Sequence, residues 1–129
     1  MENTPKFLLC NTCGNLATLI DDRGIPLVCC GVPMTELVAN TEDASVEKHL
    51  PVVEVTGNEV KVAVGSALHP MEESHYISFI YLETINGGQF KKLKAGDEPK
   101  ATFCIATDSK PIAAYEYCNL HGLWKTPIS

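Results

Sequence analysis

The sequence has few basic residues and no long apolar run, and both shortages restrict what the protein can bind. Lys and Arg total 10 against 16 Asp and Glu, so the formal net charge is -6. A nucleic-acid-binding protein needs a basic face, so we expect no nucleic-acid partner. No apolar run approaches the ~20 residues of a membrane helix, and "MENTPKFLLC" lacks the pattern of a signal peptide. We therefore expect a cytoplasmic protein with no membrane partner.

Sustained 3.6-residue periodicity, internal repeats and low-complexity segments are also missing, which argues against long helices. Short strand patterns take their place. In "PVVEVTGNEVKVAVG" a GN turn joins two candidate strands, and Val60, Val62 and Val64 alternate on one face. Further candidates are "YISFIYLETI", "QFKKLK", "KATFCIA" and "IAAYEY". This spacing predicts a compact antiparallel β-sandwich of roughly seven strands.

Cysteine is concentrated near the N-terminus. Four of the 6 cysteines lie in residues 1–37, and the polar stretch "ANTEDASVEK" separates them from the strand patterns. We predict a mainly β chain with a small metal-binding domain at 1–37 and the sandwich at 38–129. Cytoplasmic thiols stay reduced, so metal ligation is favoured over disulfides. Cys104, within an alternating pattern, is expected to be a small buried side chain.

The first candidate metal site is formed by two cysteine pairs. "CNTCGN" contains Cys10 and Cys13, and "LVCCGVPM" contains Cys29 and Cys30, with 15 residues between the pairs. A hairpin of that length returns the chain to the metal, and four thiolates form a tetrahedral site for zinc or iron. The spacing does not choose between the two metals. Adjacent cysteines cannot form the ordinary two-residue knuckle, so we expect a distorted tetrahedron.

The second candidate site begins with "EYCNLHGLWK", which places Cys118 and His121 three positions apart. The other histidines are His49, His69 and His75, and all four lie beside turn or loop signals. If they converge at one end of the sandwich, they form a set of four nitrogens and one sulfur with Cys118. Zinc prefers four ligands, so five ligands with an open sixth position favour a redox-active iron.

The motifs together resemble those of desulfoferrodoxin, the two-iron form of superoxide reductase. The resemblance covers nearly the whole chain and includes "CNTCGN", "CCGVPM", "EKHLPVVE", "GSALHPMEESHYI", "FCIA" and "EYCNLHGLWK" in the family's order. It implies a desulforedoxin-like domain followed by an immunoglobulin-like sandwich, and a homodimer. It also implies two irons per chain, the first held by Cys10, Cys13, Cys29 and Cys30. The second would have His49, His69, His75 and His121 as equatorial ligands and Cys118 as the axial ligand.

The resemblance further implies reduction of superoxide to hydrogen peroxide without release of dioxygen. Lys48 would attract superoxide and organise the water that supplies protons. Glu47 would bind the oxidised iron at rest, and a rubredoxin-like protein would donate the electron. Ser74 stands where relatives carry Lys, which removes one possible positive charge. The alternative is an electron carrier or a zinc-stabilised binding module that uses the first site alone, with Cys118 and the histidines incidental.

Overall fold

The computed structural model describes residues 4–129, which form two compact units. The first unit ends at Val38 and the second is Ala39–Ser129. Strands make up 47% of the chain and helix 3%, so the prediction of a mainly β protein is confirmed. The first three residues of the predicted first domain lie outside the described residues. No helix within residues 4–129 has the length and apolarity needed to cross a membrane.

The first unit consists of short strands around a small core. Its strands are β1 (Phe7–Leu9), β2 (Leu16–Thr18), β3 (Val28–Cys29), β4 (Val32–Pro33) and β5 (Thr35–Glu36). β1 lies between β2 and β5 in an antiparallel sheet, and β3 pairs with β4 in a separate hairpin. Phe7, Leu8 and Cys10 are the buried side chains of the described part of this unit. So small a core makes a metal or disulfide the expected source of further stability.

The second unit is the predicted sandwich, preceded by one short helix. Its elements are α1 (Val46–His49), β6 (Pro51–Thr56), β7 (Glu59–Val64), β8 (Ile77–Thr84), β9 (Gly87–Lys92), β10 (Lys100–Cys104), β11 (Pro111–Cys118) and β12 (Gly122–Pro127). One sheet has the order β10-β7-β6 and the other has the order β12-β11-β8-β9, and all pairs are antiparallel. The seven strands match the predicted number.

Alternation along the strands builds the core between the two sheets. Val60, Val62 and Val64 of β7 are at most 1% exposed, as the sequence pattern predicts. They pack in one cluster with side chains of β8 such as Ile80 and Leu82. Burial of a side chain of this size stabilises the fold by about 1.5–3 kcal/mol. This cluster also includes Cys118, so the sandwich core extends to the end of β11.

Three local features differ from the sequence expectations. The polar stretch before the sandwich ends in the four-residue helix α1, although it carries no helical periodicity. The segment around Trp124 is strand β12, although its sequence has no alternating pattern. Cys104 is exposed, and the prediction that it is buried is wrong. Phe103 and Ile105 take the inward positions of this segment, so Cys104 between them points outward.

Candidate metal centres

Four thiols converge in the first unit. The Sγ atoms of Cys10, Cys13, Cys29 and Cys30 all lie within 4.8 Å of one another. Cys10 and Cys13 belong to the turn between β1 and β2, where the Cys13 N–H points at Cys10 Sγ at 3.4 Å. The Asn15 side-chain amide lies 3.7 Å from Cys29 Sγ. N–H groups aimed at sulfur favour thiolates, which are the form that binds a metal.

A tight turn explains how two adjacent cysteines reach the same cluster. The register pairs Cys29 with Val32, which leaves Cys30 and Gly31 as a two-residue hairpin loop. Both loop residues have positive φ, 54° for Cys30 and 77° for Gly31, as a type I′ turn requires. The left-handed backbone at Cys30 changes the direction of its side chain from that in an extended strand. The two sulfurs therefore converge instead of diverging on opposite faces.

The electrostatics of the four thiols favour a bound cation. The backbone N–H of Cys13 lowers the pKa of Cys10 to about 6. The neighbouring thiols Cys13 and Cys10 raise the pKa of Cys30 to about 12, and the pKa of Cys29 is also raised by Cys10. The thiols of Cys29 and Cys30 therefore stay protonated in hydrogen bonds within the cluster, and at Cys30 the repulsion from the Cys10 thiolate adds to this effect. A bound metal cation removes that repulsion and permits four thiolates.

In the second unit, α1 is fixed to the chain that follows β7, and this places His49. The Gly65 N–H donates to Leu50 O at 3.1 Å, and the Ala67 N–H donates to Glu47 O at 3.2 Å. Gly65 has φ +83, and a Cβ on it would lie 2.8 Å from the Glu47 and Lys48 carbonyl oxygens. Only glycine permits so close an approach of α1.

The remaining donors come from two connections at the same end of the sandwich. His69 and His75 lie between β7 and β8, and the His69 N–H is bonded to Val64 O at 3.2 Å. Cys118 ends β11, and His121 immediately precedes β12. The donor atoms of all five residues lie within 4.8 Å of one another. The structure thus brings together the four histidines and the cysteine of the predicted second site.

The four imidazoles lie at the corners of a near-square. Ring centroids are 4.8 Å apart for His49 and His69, 4.6 Å for His69 and His75, 5.1 Å for His75 and His121, and 4.8 Å for His121 and His49. The diagonal from His49 to His75 is 6.5 Å. Neighbouring rings are inclined by 73–85°. The thiol of Cys118 joins this group, with its Sγ 3.9 Å from His121 Nδ1.

Hydrogen bonds fix the tautomers of two of these rings. His49 Nδ1 lies 2.7 Å from Ser45 O, and His69 Nδ1 lies 2.6 Å from Pro70 O. A carbonyl oxygen only accepts, so each Nδ1 carries the proton. Burial lowers the pKa of His69 to about 4 and also lowers the pKa of His49. Both rings are therefore neutral at pH 7, with an unprotonated Nε2 directed into the cluster.

The spacing of these donor atoms suits a bound metal, and without a metal the donor atoms lack favourable partners. The Nε2 atoms of His49 and His69 are 3.2 Å apart, and His49 Nε2 is 3.1 Å from His121 Nδ1. His75 Nε2 is buried without a hydrogen-bond partner among the described residues. Metal–nitrogen bonds of about 2 Å place neighbouring donors at a right angle about 3 Å apart. A square of four nitrogens departs from the tetrahedron of zinc and matches a five- or six-coordinate iron.

Trp124 supports the cluster from one side. Its ring stacks on the His49 imidazole at 5.2 Å between centroids, and its indole N–H donates to His121 O at 3.0 Å. Trp124 is 3% exposed, so both contacts are shielded from water. Trp124 lies in β12 and so packs against two of the converging histidines from a strand.

Glu47 and Lys48 both lie on α1 and both are exposed. The positive charge of Lys48 contributes to lowering the pKa of His49 and of His75, after the larger effect of burial. Lys48 therefore lies within electrostatic range of His49 and His75. The Glu47 carboxylate is not among the converging donor atoms, and Glu47 lines an open groove with Val46 and Leu50.

Known proteins match both the sequence and the fold. The desulfoferrodoxin family profile matches residues 41–127. Desulfoferrodoxin from Nitratidesulfovibrio vulgaris is 48% identical over 97% of this chain and 98% of its own. A desulfoferrodoxin homolog from Archaeoglobus fulgidus is 48% identical over 98% of this chain and 99% of its own. The crystal structure of superoxide reductase from Treponema pallidum superposes with a TM-score of 0.82 at 39% identity, covering 96% and 99% of the two chains.

The fold and the two donor clusters define a class of iron-binding oxidoreductase. A four-cysteine knuckle and a sandwich with a four-histidine, one-cysteine cluster are consistent with the two iron centres of that class. The chain belongs to the desulfoferrodoxin family.

Proposed function

We propose that the protein is a superoxide reductase that converts superoxide to hydrogen peroxide by one-electron reduction. The observation that carries this function is the near-square of four imidazoles beside the buried thiol of Cys118. The same convergence opposes the alternative in which the histidines are incidental. Each turnover consumes one superoxide, one electron and two protons and forms one hydrogen peroxide, with no dioxygen produced.

The two clusters divide the work between the proposed domains, 1–37 and 38–129. Cys10, Cys13, Cys29 and Cys30 would hold one iron, which would carry electrons. His49, His69, His75, His121 and Cys118 would hold the second, which would supply the electron that reduces the superoxide anion. The ring nitrogens that bind are Nε2 of His49, His69 and His75 and Nδ1 of His121, as the distances support.

Cys118 is the only anionic donor of the second set. Burial raises the pKa of its thiol, while the backbone N–H groups of Leu120 and His121 lower it. These N–H groups also disperse charge from the thiolate and so tune how strongly it donates. Four neutral imidazoles and one thiolate leave a net positive centre, which favours an anionic substrate.

Lys48 supplies a positive charge outside the donor set. Its ammonium group attracts superoxide towards the cluster and holds water that delivers protons there. Glu47 is proposed as a ligand of the oxidised resting centre. Its carboxylate lies outside the donor cluster and its carbonyl is bonded to Ala67 and Ser66, so this ligation requires the Glu47 side chain to reorient or α1 to move.

We propose a homodimer, a rubredoxin-like electron donor and a cytoplasmic location. Exposed apolar side chains in the first unit support a further protein interface, and they include Ile20, Ile25, Val28 and Val32. The cluster of four cysteines supports a reducing compartment, because oxidation to disulfides would remove the ligands. Light scattering on the purified protein tests the dimer, and a mass of one 14.0 kDa chain contradicts it.

Replacement of the proposed axial ligand tests the function. We expect Cys118→Ser to lose the thiolate-to-iron absorption and nearly all superoxide reduction. A hydroxyl is a poor iron ligand, and it costs roughly 1–3 kcal/mol when buried without a partner. Cys104→Ser is the control, because that thiol is exposed and far along the sequence from every ligand. Pulse radiolysis measures the rate, and normal activity in iron-loaded Cys118→Ser contradicts the assignment.

A further inference from the structure

One polar residue ties the loop of Cys118 and His121 to the loop of His75. Asn119 donates its backbone N–H to Tyr76 O at 3.2 Å and accepts the Tyr76 N–H on Oδ1 at 2.9 Å. Its Nδ2 donates to Ser74 O at 3.1 Å. The three hydrogen bonds therefore hold the residues immediately before and after His75.

His75 depends on this backbone attachment more than His49 and His69 do. The rings of His49 and His69 are each fixed by an Nδ1 hydrogen bond to a carbonyl oxygen. Within residues 4–129, no hydrogen bond to the His75 ring is found, and its Nε2 is buried without a partner. Its own backbone forms one small bridge with Glu72, at 2.9 and 3.1 Å. The direction of the ring is therefore set by the chain on either side of it.

We propose that Asn119 is a positioning residue of the second metal centre, which fixes the backbone around His75 so that its Nε2 faces the metal. This inference rests on the proposed ligand assignment. Asn119 itself touches no donor atom, so it acts through His75. Outer groups that orient a metal ligand typically contribute 10–100-fold to metal affinity or activity.

A second asparagine offers a matched control. Asn40 accepts the Lys125 N–H on Oδ1 at 2.9 Å, donates Nδ2 to Lys125 O at 3.2 Å and donates its N–H to Leu123 O at 2.9 Å. The pattern is that of Asn119, but no proposed ligand lies between the bonded residues. Asn40 has φ 63°, so glycine replaces it without backbone strain.

Iron release from the second centre is the measurement. The full-length oxidised protein is mixed with excess chelator, and loss of the Cys118–iron absorption is followed with time. We expect Asn119→Ala to release this iron at least about tenfold faster than wild type. Asn40→Gly should release it more slowly than Asn119→Ala, because the residue between its two partners is Trp124 and not a ligand. Asn119→Asp retains Oδ1 for the Tyr76 N–H but loses the donor to Ser74, so its rate should be intermediate.

A double variant separates positioning of His75 from general loosening. If Asn119 acts through His75, Asn119→Ala should add little to the release rate of a His75→Ala protein. Equal acceleration in both backgrounds overturns the inference, as does a wild-type rate in Asn119→Ala. If Asn119→Ala does not fold, a wild-type rate in Asn119→Asp has the same consequence. If the wild-type protein lacks the Cys118–iron absorption, the ligand assignment is wrong, and the inference about Asn119 fails with it.

Discussion

Nε2 of His49 and Nε2 of His69 face each other at 3.2 Å, and neither carries a proton. Their protons lie on Nδ1, where backbone carbonyls accept them. Two lone pairs at this distance repel, so the protein holds the nitrogens in an arrangement that a cation stabilises. The tautomers needed for metal binding thus exist before the metal arrives, in the manner of other histidine ligands with backbone partners.

This arrangement predicts how many protons metal binding releases at the second centre. Burial keeps His49, His69 and His75 neutral by lowering each pKa, and it keeps Cys118 protonated by raising its pKa. At pH 8 we expect Co²⁺ binding to release about one proton per metal, from the thiol alone. Calorimetry of the Cys13→Ser apoprotein in buffers of different ionisation enthalpy gives the number. Cys118→Ser in that background should release none, and release of two or more protons contradicts the neutral state assigned to the histidines.

Gly65 provides a test of how α1 is held. Gly65→Ala places a methyl group 2.5 Å from Ala67 O and 2.8 Å from two carbonyl oxygens of α1, so the helix must move and take His49 with it. We expect loss of iron from the second centre, seen in metal content and absorption. Gly57→Ala is the matched control, because Gly57 also has positive φ (+59) but has open space around it. Left-handed strain of roughly 1–2 kcal/mol is common to both variants, so equal iron contents contradict the proposed role of the contact.

The sequence predicted those parts of the structure that depend on local pattern. Alternation located the core face of β7, and turn residues located the hairpins. The donor residues of both clusters were identified by motif, and their convergence is confirmed by the structure. Gly65 and Asn119 were missed because their roles arise only when segments distant in sequence meet. Cys104 was placed on the wrong side because a cysteine fits either face, and the larger Phe103 and Ile105 decided the direction.

The separation of the two clusters predicts independent iron binding. We expect Cys13→Ser to remove the first iron and leave the second, because no residue belongs to both donor sets. A chemically reduced Cys13→Ser protein should therefore react with superoxide at close to the wild-type rate. Iron analysis, absorption spectra and pulse radiolysis check the prediction together. Loss of both irons from this variant would show that the two proposed domains do not bind metal independently.

Glu116 predicts a pH dependence of stability. Both carboxylate oxygens are buried without a partner among the described residues, and burial raises the pKa well above 4.5. A raised native pKa means that stability is highest below the unfolded pKa and falls as pH rises towards the native pKa. Glu116→Gln removes this loss. We expect its gain in unfolding free energy to grow by about 1.4 kcal/mol per pH unit above pH 4.5. Denaturation curves of both proteins at pH 5 and pH 8 measure this gain, and an equal gain at the two pH values would contradict the prediction.

Lys48 should determine how fast the anionic substrate reaches the site. The net charge of -6 repels superoxide at long range. Lys48 lies within electrostatic range of the imidazole cluster. Ser74 is uncharged and adds no second cation. Screening acts over about 10 Å at 0.1 M salt, so a charge beside the centre has more influence than the distant ones. We expect Lys48→Ile to slow the bimolecular reaction about tenfold, a size that electrostatic steering supplies. Iron content should not change, because Lys48 is not a ligand.

The salt dependence separates local attraction from the effect of net charge. Added salt should slow the wild-type reaction, because it screens the attraction to Lys48 and the metal centre. In Lys48→Ile the decline should flatten or reverse, since repulsion by the acidic surface is then the main effect being screened. Lys110→Ile changes the net charge by the same amount. Lys110 immediately precedes β11, and Cys118 is at the other end of that strand. At the rise of a strand the two residues are about 25 Å apart. Pulse radiolysis over a salt series should find Lys110→Ile close to wild type. Equal changes in the two variants would assign the effect to net charge, and unchanged rates and slopes in Lys48→Ile would remove its steering role.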